Sequence, residues 1–341
     1  MFSYKNLFLI IIAGIFAASC NKAVLDLKPI SSFSAVADSM NATKDTGYYS
    51  FAPLGSKVNF YFTGNPANIA FYSGELGHNF NYRNRTSADG ISRFIFTNQL
   101  NGGTQPNSLH VMLSSDFKGV VSTYTYSGIT YSTLVYDTAS TLVNIGTATW
   151  TDITPANLAT NATAVTDTID LTNFTKGGKK VYIAFKYTGQ SGSVQNQWTI
   201  NNISLTNSLA DNSVYTLANL NTNATPIVNY GASTYSPGWV GFKYGTVDWN
   251  INTSRLLVPN TKPTAVATSN EESWTLLGSI DLTKVTPDLA VSSGVTNISS
   301  YPVSYSYIYR NKETYNATFV ATNATVYTGD SISKTIPIVI K

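Results

Sequence analysis

The chain contains short segments in which apolar and polar residues alternate. Within residues 57–62, valine and phenylalanine alternate with asparagine and tyrosine, and a Gly-Asn-Pro sequence follows. Alternation with a period of two residues, bounded by turn-forming residues, predicts half-buried β-strands. The same reasoning predicts strands in the segments 57–62, 68–72, 91–96, 181–187, 198–205, 315–327 and 332–340.

Two of these segments contain an irregularity. Trp198 and Ile200 share one parity, but the next apolar residues, Ile203 and Leu205, share the other. The change of parity predicts a β-bulge with one extra residue between the two pairs. In the last segment, Pro337 cannot donate a ladder hydrogen bond, so we expect it at an edge or a bulge.

Helical signals are sparse after the first twenty residues. In that part of the chain, no window of eleven or more residues has a convincing apolar period of 3.6 residues. Strands of this length and spacing predict an all-β chain built from β-sandwiches. The segment 101–108 is rich in glycine, asparagine and proline and predicts a domain boundary. We therefore expect a first sandwich over residues 34–105 and a larger second one over residues 106–341.

The N-terminus has the features of a lipoprotein signal. Lys5 precedes an apolar and glycine run at 7–18, which is too short to span a bilayer comfortably and is typical of a secretory signal peptide. The following Phe-Ala-Ala-Ser-Cys sequence resembles a bacterial lipobox, whose cysteine is lipidated. We predict a signal peptide at 1–19, a lipid on Cys20 and a tether at 20–33.

Cys20 is the only cysteine of the chain. The alternative, an ordinary signal peptide with an accidental cysteine, would leave an unpaired thiol in an oxidising compartment. Intramolecular disulfides are excluded, so the fold depends on burial and backbone hydrogen bonds. No later apolar run has the length of a transmembrane helix, and the lipid is the predicted membrane anchor.

The composition argues against a nucleic-acid partner. The chain has 21 basic and 18 acidic residues, and Lys5 leaves with the signal peptide. The remaining basic residues are scattered, whereas nucleic-acid binding requires a clustered basic surface. Asn, Thr and Ser supply most of the polar surface, since charged residues form only 11% of the chain.

Several segments resemble one family of lipoproteins. They are Val-Asn-Phe-Tyr-Phe-Thr-Gly-Asn-Pro at 58–66, Ile-Ala-Phe-Tyr-Ser-Gly-Glu at 69–75, Tyr-Arg-Asn-Arg-Thr at 82–86, and the regions 148–154, 169–171, 181–187 and 198–203. Together these segments resemble the family catalogued as domain of unknown function 5017. The resemblance implies an immunoglobulin-like or polycystic-kidney-disease-like first domain followed by a galactose-binding-like jelly roll. It brings no defined catalytic or ligand residues.

The resemblance also implies a cellular context, because such lipoproteins occur in anaerobic Gram-negative bacteria and their genes often neighbour glycan-uptake porins. Members exported to the cell surface often carry acidic residues after the cysteine, and residues 21–25 contain none. We predict attachment to the outer membrane through the Cys20 lipid. The protein could then face either the periplasm or the cell surface, and the sequence favours neither orientation. The expected partners are the membrane, a polysaccharide or oligosaccharide, and an outer-membrane glycan-uptake complex.

Residues that carry common catalytic chemistry are few. The two histidines, His78 and His110, lack metal-ligand spacing, and the common catalytic and phosphate-loop motifs do not occur. Adjacent Glu271 and Glu272 are not expected to form the carboxylate pair of a glycosidase, because neighbours on a strand point to opposite faces. We predict that the protein is not an enzyme and uses no cofactor. We assign no metal-binding residues, and a structural calcium ion stays an open alternative.

Two further groups of residues have both a structural and a functional interpretation. Glu75 with Arg83 and Arg85 is interpreted as a cross-strand ion pair that closes a hairpin, with recognition of a sugar or a carboxylate as the alternative. The tryptophans in strand-like patterns are expected in the core: Trp150, Trp198 and Trp274.

The two remaining tryptophans lie among glycine, proline and serine, where loops are expected. Aromatic rings on loops can stack on sugars while asparagine and aspartate bind hydroxyls. The predicted ligand site consists of Tyr235, Trp239, Tyr244, Asp248, Trp249 and Asn250. Packing of these rings in the core is the alternative.

The features above predict a membrane-anchored, extracytoplasmic lipoprotein that binds glycan and assists polysaccharide capture or uptake. A non-glycan adhesin or structural scaffold is the first alternative. A glycoside hydrolase is the second.

Overall fold

The structure is a computed structural model. It describes residues 29–38, 40–43, 47–127, 130–175, 180–219, 239–252, 255–291, 304–324 and 328–341. The predicted signal peptide, the lipidation site Cys20 and the predicted ligand residue Tyr235 lie outside the described residues. In the described part of the chain, no helix is long and apolar enough to cross a membrane.

Strands dominate the described residues, and the predicted all-β class is confirmed. The strands are β1 (Phe33–Ala37), β2 (Met40–Thr43), β3 (Gly47–Ala52), β4 (Lys57–Gly64), β5 (Asn68–Tyr72), β6 (Ile91–Leu100), β7 (Leu109–Ser114), β8 (Ser122–Ser127), β9 (Thr130–Tyr136), β10 (Thr151–Asp152), β11 (Val165–Asp170), β12 (Val181–Gly189), β13 (Trp198–Ser208), β14 (Val214–Asn219), β15 (Trp239–Lys243), β16 (Asn250–Ile251), β17 (Leu256–Val258), β18 (Glu271–Ile280), β19 (Ser304–Ile308), β20 (Thr314–Ala324) and β21 (Gly329–Ile340). The helices are α1 (Thr138–Thr147) and the 3₁₀ turns Phe80–Tyr82 and Thr172–Phe174.

The chain forms two compact units, one of which is discontinuous. Unit 1 comprises Met1–Arg85 and Pro287–Lys341, and unit 2 comprises Thr86–Thr286. The predicted boundary within residues 101–108 is therefore wrong, because that segment connects β6 to β7 inside unit 2. The C-terminal strands β19, β20 and β21 belong to unit 1, where they pair with β4, β5 and β3.

Unit 1 is a β-sandwich with an aromatic core. One sheet has the strand order β1-β4-β19, and the other has the order β2-β3-β21-β20-β5. Phe60 of the first sheet packs edge-on against Phe319 of the second, with ring centroids 4.9 Å apart. Phe71 stacks on Phe319 at 4.8 Å. These fully buried rings join the two sheets through the hydrophobic effect.

Unit 2 is a second β-sandwich. Its five-stranded sheet has the order β10-β7-β12-β18-β15, and its six-stranded sheet has the order β11-β6-β13-β17-β16, with β14 paired to β13. Phe94 and Phe96 of β6 pack against Phe185 of β12, with centroids 5.9 and 5.2 Å apart. The prediction of two β-sandwiches is confirmed, although their boundaries differ from those expected.

Strand β13 contains the predicted bulge. Asn201 pairs with Thr97 and Ser204 pairs with Ile95, so β13 has one more residue than β6 between these pairs. Inside the bulge, Asn202 has a φ of 49°, a left-handed conformation that asparagine adopts more readily than most residues.

Helix α1 is a short element that the periodicity did not predict. Its N-cap is Asp137, whose side chain accepts a hydrogen bond from the Ser140 N–H at 2.9 Å. Thr141 and Ile145 are its buried residues, and Ile145 packs in a cluster with Trp274 on the outer face of the five-stranded sheet. The Asp-x-x-Ser cap is the local signal that marks this helix.

Two predictions at the ends of unit 1 need correction. The predicted tether at 20–33 includes folded residues, since Ile30 is buried and its N–H donates to Asp330 at 2.8 Å. Strand β21 lies between β20 and β3 rather than at an edge. Pro337 is tolerated there because the pairing with β3 starts at Ile338.

Candidate functional site

A groove of about 760 Å³ opens on unit 2 between the loop 101–108 and the segment 152–160. The loop leads into β7, and β10 pairs with β7 at the start of the segment. Strand pairing therefore brings the two walls together. Their side chains line the groove: Thr104, Gln105, Pro106, Asn107, Ser108, His110, Asp152, Thr154, Pro155, Ala156, Leu158 and Thr160.

Buried polar side chains hold the loop wall in place. The Gln105 Nε2 donates to the Thr188 carbonyl at 2.7 Å, and its Oε1 accepts from the Gln190 N–H at 2.8 Å. The Asn196 Nδ2 donates to the Gln105 carbonyl and to the Ser108 Oγ. Buried polar networks that are satisfied in this way are rigid, so this wall is preformed.

The loop also depends on a close approach that only glycine permits. Gly103 has a φ of 91°, and a Cβ at this position would lie 2.5 Å from the Asn196 Cα and 2.6 Å from its N. On the other side of the network, the Trp198 Nε1 donates to the Ser108 Oγ at 2.9 Å. The loop is thus fixed to β13 by packing and by hydrogen bonds.

His110 connects the two walls. Its Nδ1 lies 2.9 Å from the Asp152 Oδ2, and its Nε2 lies 3.1 Å from the Asn107 carbonyl oxygen. A carboxylate and a carbonyl both accept hydrogen bonds, so each ring nitrogen that carries a proton donates to a group of the groove wall. The ring is thereby held between the loop and the Asp152 segment.

The Asp152 carboxylate is a fixed acceptor on the wall and is half exposed. Burial raises the pKa of Asp152, but hydrogen bonds from Thr154 and His110 outweigh this effect and lower its pKa below the ordinary value. Thr154 donates through its N–H at 2.9 Å and also through its hydroxyl. The group is therefore ionised at neutral pH.

The groove combines acceptors, donors and apolar surface. Hydroxyl and amide groups come from the exposed Thr104, Asn107 and Thr160. Apolar surface comes from Pro106, Pro155 and Leu158. Sites that bind small polar molecules have this mixture of apolar surface and a few placed polar groups. Asp152 is the one carboxylate in the described lining, which leaves no carboxylate pair of the glycosidase type there.

The structure corrects the predicted aromatic platform. Trp239 lies on β15 and is fully buried, and Trp249 is 9% exposed. Both rings pack against Phe185, with centroids 5.3 and 6.4 Å apart. They belong to the core of unit 2 and present no face to a sugar. Nearby glycine and proline favoured a loop, but β15 begins at Trp239 itself.

The other residues of that prediction have separate roles. The exposed Tyr244 donates its hydroxyl to the Leu142 carbonyl of α1 at 2.7 Å. Asp248 pairs with Lys243 at 2.8 Å. Asn250, on β16, donates to the Asn260 Oδ1 at 2.8 Å. None of the three lines the groove.

The tryptophans predicted to lie in the core are placed as expected. Trp198 and Trp274 are buried. Trp150 is partly buried and packs on Trp274 with centroids 5.0 Å apart.

The charged group at 75–85 in unit 1 has partners other than those predicted. The Tyr307 hydroxyl donates to the Glu75 carboxylate at 2.5 Å, and Arg85 lies 3.7 Å from Asp288. Arg83 stacks over an aromatic ring, with its Cζ 3.9 Å from the centroid. Burial and the Glu75 hydrogen bond raise the pKa of Tyr307 to about 12, which keeps it a donor.

The prediction that Glu271 and Glu272 point to opposite faces is confirmed. Glu271 is buried against the turn at 245–247, whereas Glu272 pairs with Lys186 at 3.0 Å. Among the described residues, no group of three or more His, Cys, Asp or Glu side chains is placed to hold a metal ion.

The groove was missed because its glycine-rich loop was interpreted as a linker between domains. The signal that could have found it is the presence of Gln105 and Ser108 within that loop, where both side chains are buried. Loops that connect the strands of a rigid sandwich often carry binding residues.

Comparison with known proteins identifies a family and no function. No curated protein and no solved structure matches the chain. The family model described as Domain of unknown function (DUF5017) matches residues 36–225, more than half of the chain, and this range includes both walls of the groove. The chain therefore belongs to the DUF5017 family, as the resemblance in its sequence predicted.

Proposed function

We propose that the protein is a lipid-anchored, extracytoplasmic glycan-binding protein that assists polysaccharide capture or uptake through the groove of unit 2. The observation that carries this proposal is the preformed wall around Gln105 and Asn196, which holds polar groups beside apolar surface. A preformed site loses little conformational entropy when a ligand binds. A few sugar contacts then give a dissociation constant on the order of 10 μM to 1 mM.

Two features of the groove favour binding over hydrolysis. Its described lining has a single carboxylate, Asp152, whereas most glycosidases use two. The His110 ring faces an acceptor at each nitrogen. Such groups can hold and orient a sugar hydroxyl.

The location follows from the sequence of the first twenty residues. The apolar run and the lipobox-like sequence ending at Cys20 support export and lipidation. An outer-membrane glycan-uptake complex is the proposed partner, because a tethered binding protein raises the local concentration of glycan near such a complex.

Titration of the purified lipoprotein with a panel of oligosaccharides by calorimetry tests the proposal. Asp152→Asn should weaken the binding of any active glycan by roughly tenfold, because a charged acceptor is lost. Asp248→Asn is the matched control, since Asp248 is also an exposed carboxylate with a nitrogen partner on a neighbouring side chain, in this case Lys243. Its affinity should equal that of the wild type.

Three results would contradict the proposal. If Asp248→Asn loses glycan binding and Asp152→Asn does not, the glycan binds at the residues predicted from the sequence and not in the groove. Absence of glycan binding across the panel, together with specific binding to a purified protein of the same outer membrane, would identify an adhesin or scaffold. Release of shortened glycans during the titration would identify a hydrolase.

A further inference from the structure

The outer face of the six-stranded sheet of unit 2 carries a row of three polar side chains and one leucine. Thr199 of β13 pairs with Gln99 of β6 on one side and with Leu257 of β17 on the other. Leu257 in turn pairs with Asn250 of β16. Cross-strand partners share a face. The row therefore crosses four strands and is roughly 14 Å long, as the spacing of strands requires.

Residues two positions before or after those of the row point to the same side of the sheet and widen the row into a surface. We call it the amide face, and its side chains line an opening of about 440 Å³: Gln99, Asn101, Gln197, Thr199, Asn201 and Arg255. Five of these six are neutral polar residues and the sixth is a cation, and the apolar Leu257 completes the lining. The described lining of the opening contains no carboxylate.

The amide face is separate from the groove. Leu100 and Trp198 line the groove, whereas their sequence neighbours Gln99 and Thr199 line the amide face. Successive residues of a strand point to opposite faces of the sheet. The two openings therefore lie on opposite sides of the six-stranded sheet.

The outer faces of the two sheets differ in chemistry. Helix α1 packs on the outer face of the five-stranded sheet through Ile145, in an apolar cluster with Phe242 and Trp274. The amide face has the opposite composition, and burying it under an apolar helix would leave its amides without partners. A ligand that itself carries many hydroxyl groups could cover this face and still satisfy its amides.

Two groups on this face have unused hydrogen-bonding capacity. The Asn201 Oδ1 is buried and has no donor within hydrogen-bond distance among the described residues. Asn201 also lines the opening, and half a turn about the last torsion of its side chain, which is soft in asparagine, would exchange the positions of this oxygen and the amide nitrogen. Arg255 is exposed, and its guanidinium has no carboxylate within 4.0 Å in the described part of the chain.

From this arrangement we infer that the amide face is a second glycan site, selective for oligosaccharides that carry carboxylate groups. The partly exposed amides of Gln99, Asn101 and Asn201 can donate to and accept from sugar hydroxyls. Thr199 and Gln197 are buried and support this face from below, since the Thr199 hydroxyl accepts from the Asn101 Nδ2 at 2.6 Å and the Gln197 Nε2 donates to the Pro259 carbonyl at 3.0 Å. Arg255 binds a sugar carboxylate through two parallel hydrogen bonds. The inference rests on the geometry of this face and does not depend on the groove.

Calorimetry with two probes tests the inference on the purified lipoprotein. Hexagalacturonate, which has a carboxylate on every sugar, should bind at least about tenfold more tightly than the neutral xylohexaose. Arg255→Gln should remove this difference. Asn201→Leu should weaken hexagalacturonate binding by about fivefold without lowering the melting temperature, because the buried acceptor that it removes has no partner among the described residues.

Matched variants and a third probe complete the test. Lys243→Gln, a cation-to-amide change outside the opening, should bind hexagalacturonate as the wild type does. Equal affinity for the two probes, no binding of either, or tighter binding of a hexaglutamate peptide would overturn the inference. If Asp152→Asn rather than Arg255→Gln abolishes hexagalacturonate binding, the acidic glycan occupies the groove. The second site is then wrong while the proposed function stands.

Discussion

The carboxylate of Glu271 accepts two hydrogen bonds from Thr246, one from its N–H at 2.5 Å and one from its hydroxyl at 2.9 Å. The Val247 N–H and the Ser269 hydroxyl donate to the same carboxylate at 3.2 and 3.0 Å. Burial raises the pKa of Glu271, but these hydrogen bonds lower it below the ordinary value. The side chain thereby fixes the turn at 245–247 to β18.

Glu271→Gln should lower the free energy of unfolding by about 1–3 kcal/mol, because the amide nitrogen of glutamine faces donors and cannot accept from them. Urea denaturation at neutral pH measures the change. Glu272→Gln is the matched control on the adjacent, more exposed position, and it should change the free energy by less than about 1 kcal/mol. Equal losses in the two variants would contradict the role assigned to Glu271.

The stabilising effect of Glu271 should depend on pH. Its pKa is lower in the folded state than the ordinary value of 4.5, so its contribution is complete above about pH 4.5 and is lost as the pH falls through the folded pKa. The wild type should therefore lose more stability than Glu271→Gln on acidification below pH 4.5. Urea midpoints at about pH 6 and about pH 3 give the comparison. Parallel losses in the two proteins would exclude this linkage.

Trp239→Ala should destabilise unit 2 by about 3–5 kcal/mol, because it removes a fully buried ring that packs on Phe185. Thermal unfolding followed by circular dichroism measures the effect. Tyr244→Ala removes a nearby aromatic ring that is exposed, and its cost should be much smaller. If Trp239→Ala keeps its melting temperature but loses glycan binding, Trp239 contacts the glycan, and the hypothesis of an aromatic platform is correct.

Gly103→Ala should destabilise the loop at 101–108 and weaken glycan binding together. The added Cβ would overlap the backbone of Asn196, and the positive φ disfavours alanine. Gly192→Ala separates the two effects, because Gly192 also has a positive φ but has no atom within 4 Å of the added Cβ. We expect a loss of at least about 1 kcal/mol more in Gly103→Ala. Equal losses would mean that the close approach to Asn196 is not a constraint.

Cys20→Ala should abolish lipidation, since the chain has no other cysteine. Cells grown with a clickable fatty-acid analogue should label the wild type and leave the variant unlabelled. Ser19→Thr keeps the thiol and serves as a control for general effects of changes near the cleavage site. Equal labelling of wild type and Cys20→Ala would exclude the lipid anchor.

Local features of the fold were predictable from the sequence. The parity change between Ile200 and Ile203 located the bulge of β13, because side chains on one face of a strand must keep a period of two residues. The alternation at 57–62 located β4 for the same reason. Burial on one face imposes these patterns directly on neighbouring residues, so a single sequence displays them.

The domain boundary and the binding groove depend on contacts between distant residues. Nothing near Tyr72 indicates that its strand pairs with β20 through Thr318. Similarly, the sequence around Gln105 is that of an ordinary loop, and only the contact with Asn196 in space distinguishes this residue. The Trp239 prediction failed for a related reason, since its surroundings in sequence are loop-like whereas its surroundings in space are apolar.

The interrupted layout of unit 1 has a consequence for how the protein is made. Strands β4 and β5 leave the ribosome long before β19, β20 and β21, and Phe60 and Phe71 have no complete core to enter until those strands arrive. Pairings between such distant segments form slowly and leave apolar surface exposed during synthesis. A chain that stops after Thr286 would contain all of unit 2. Its N-terminal strands would lack their partners, so quality-control proteases should remove this product even though its groove is complete.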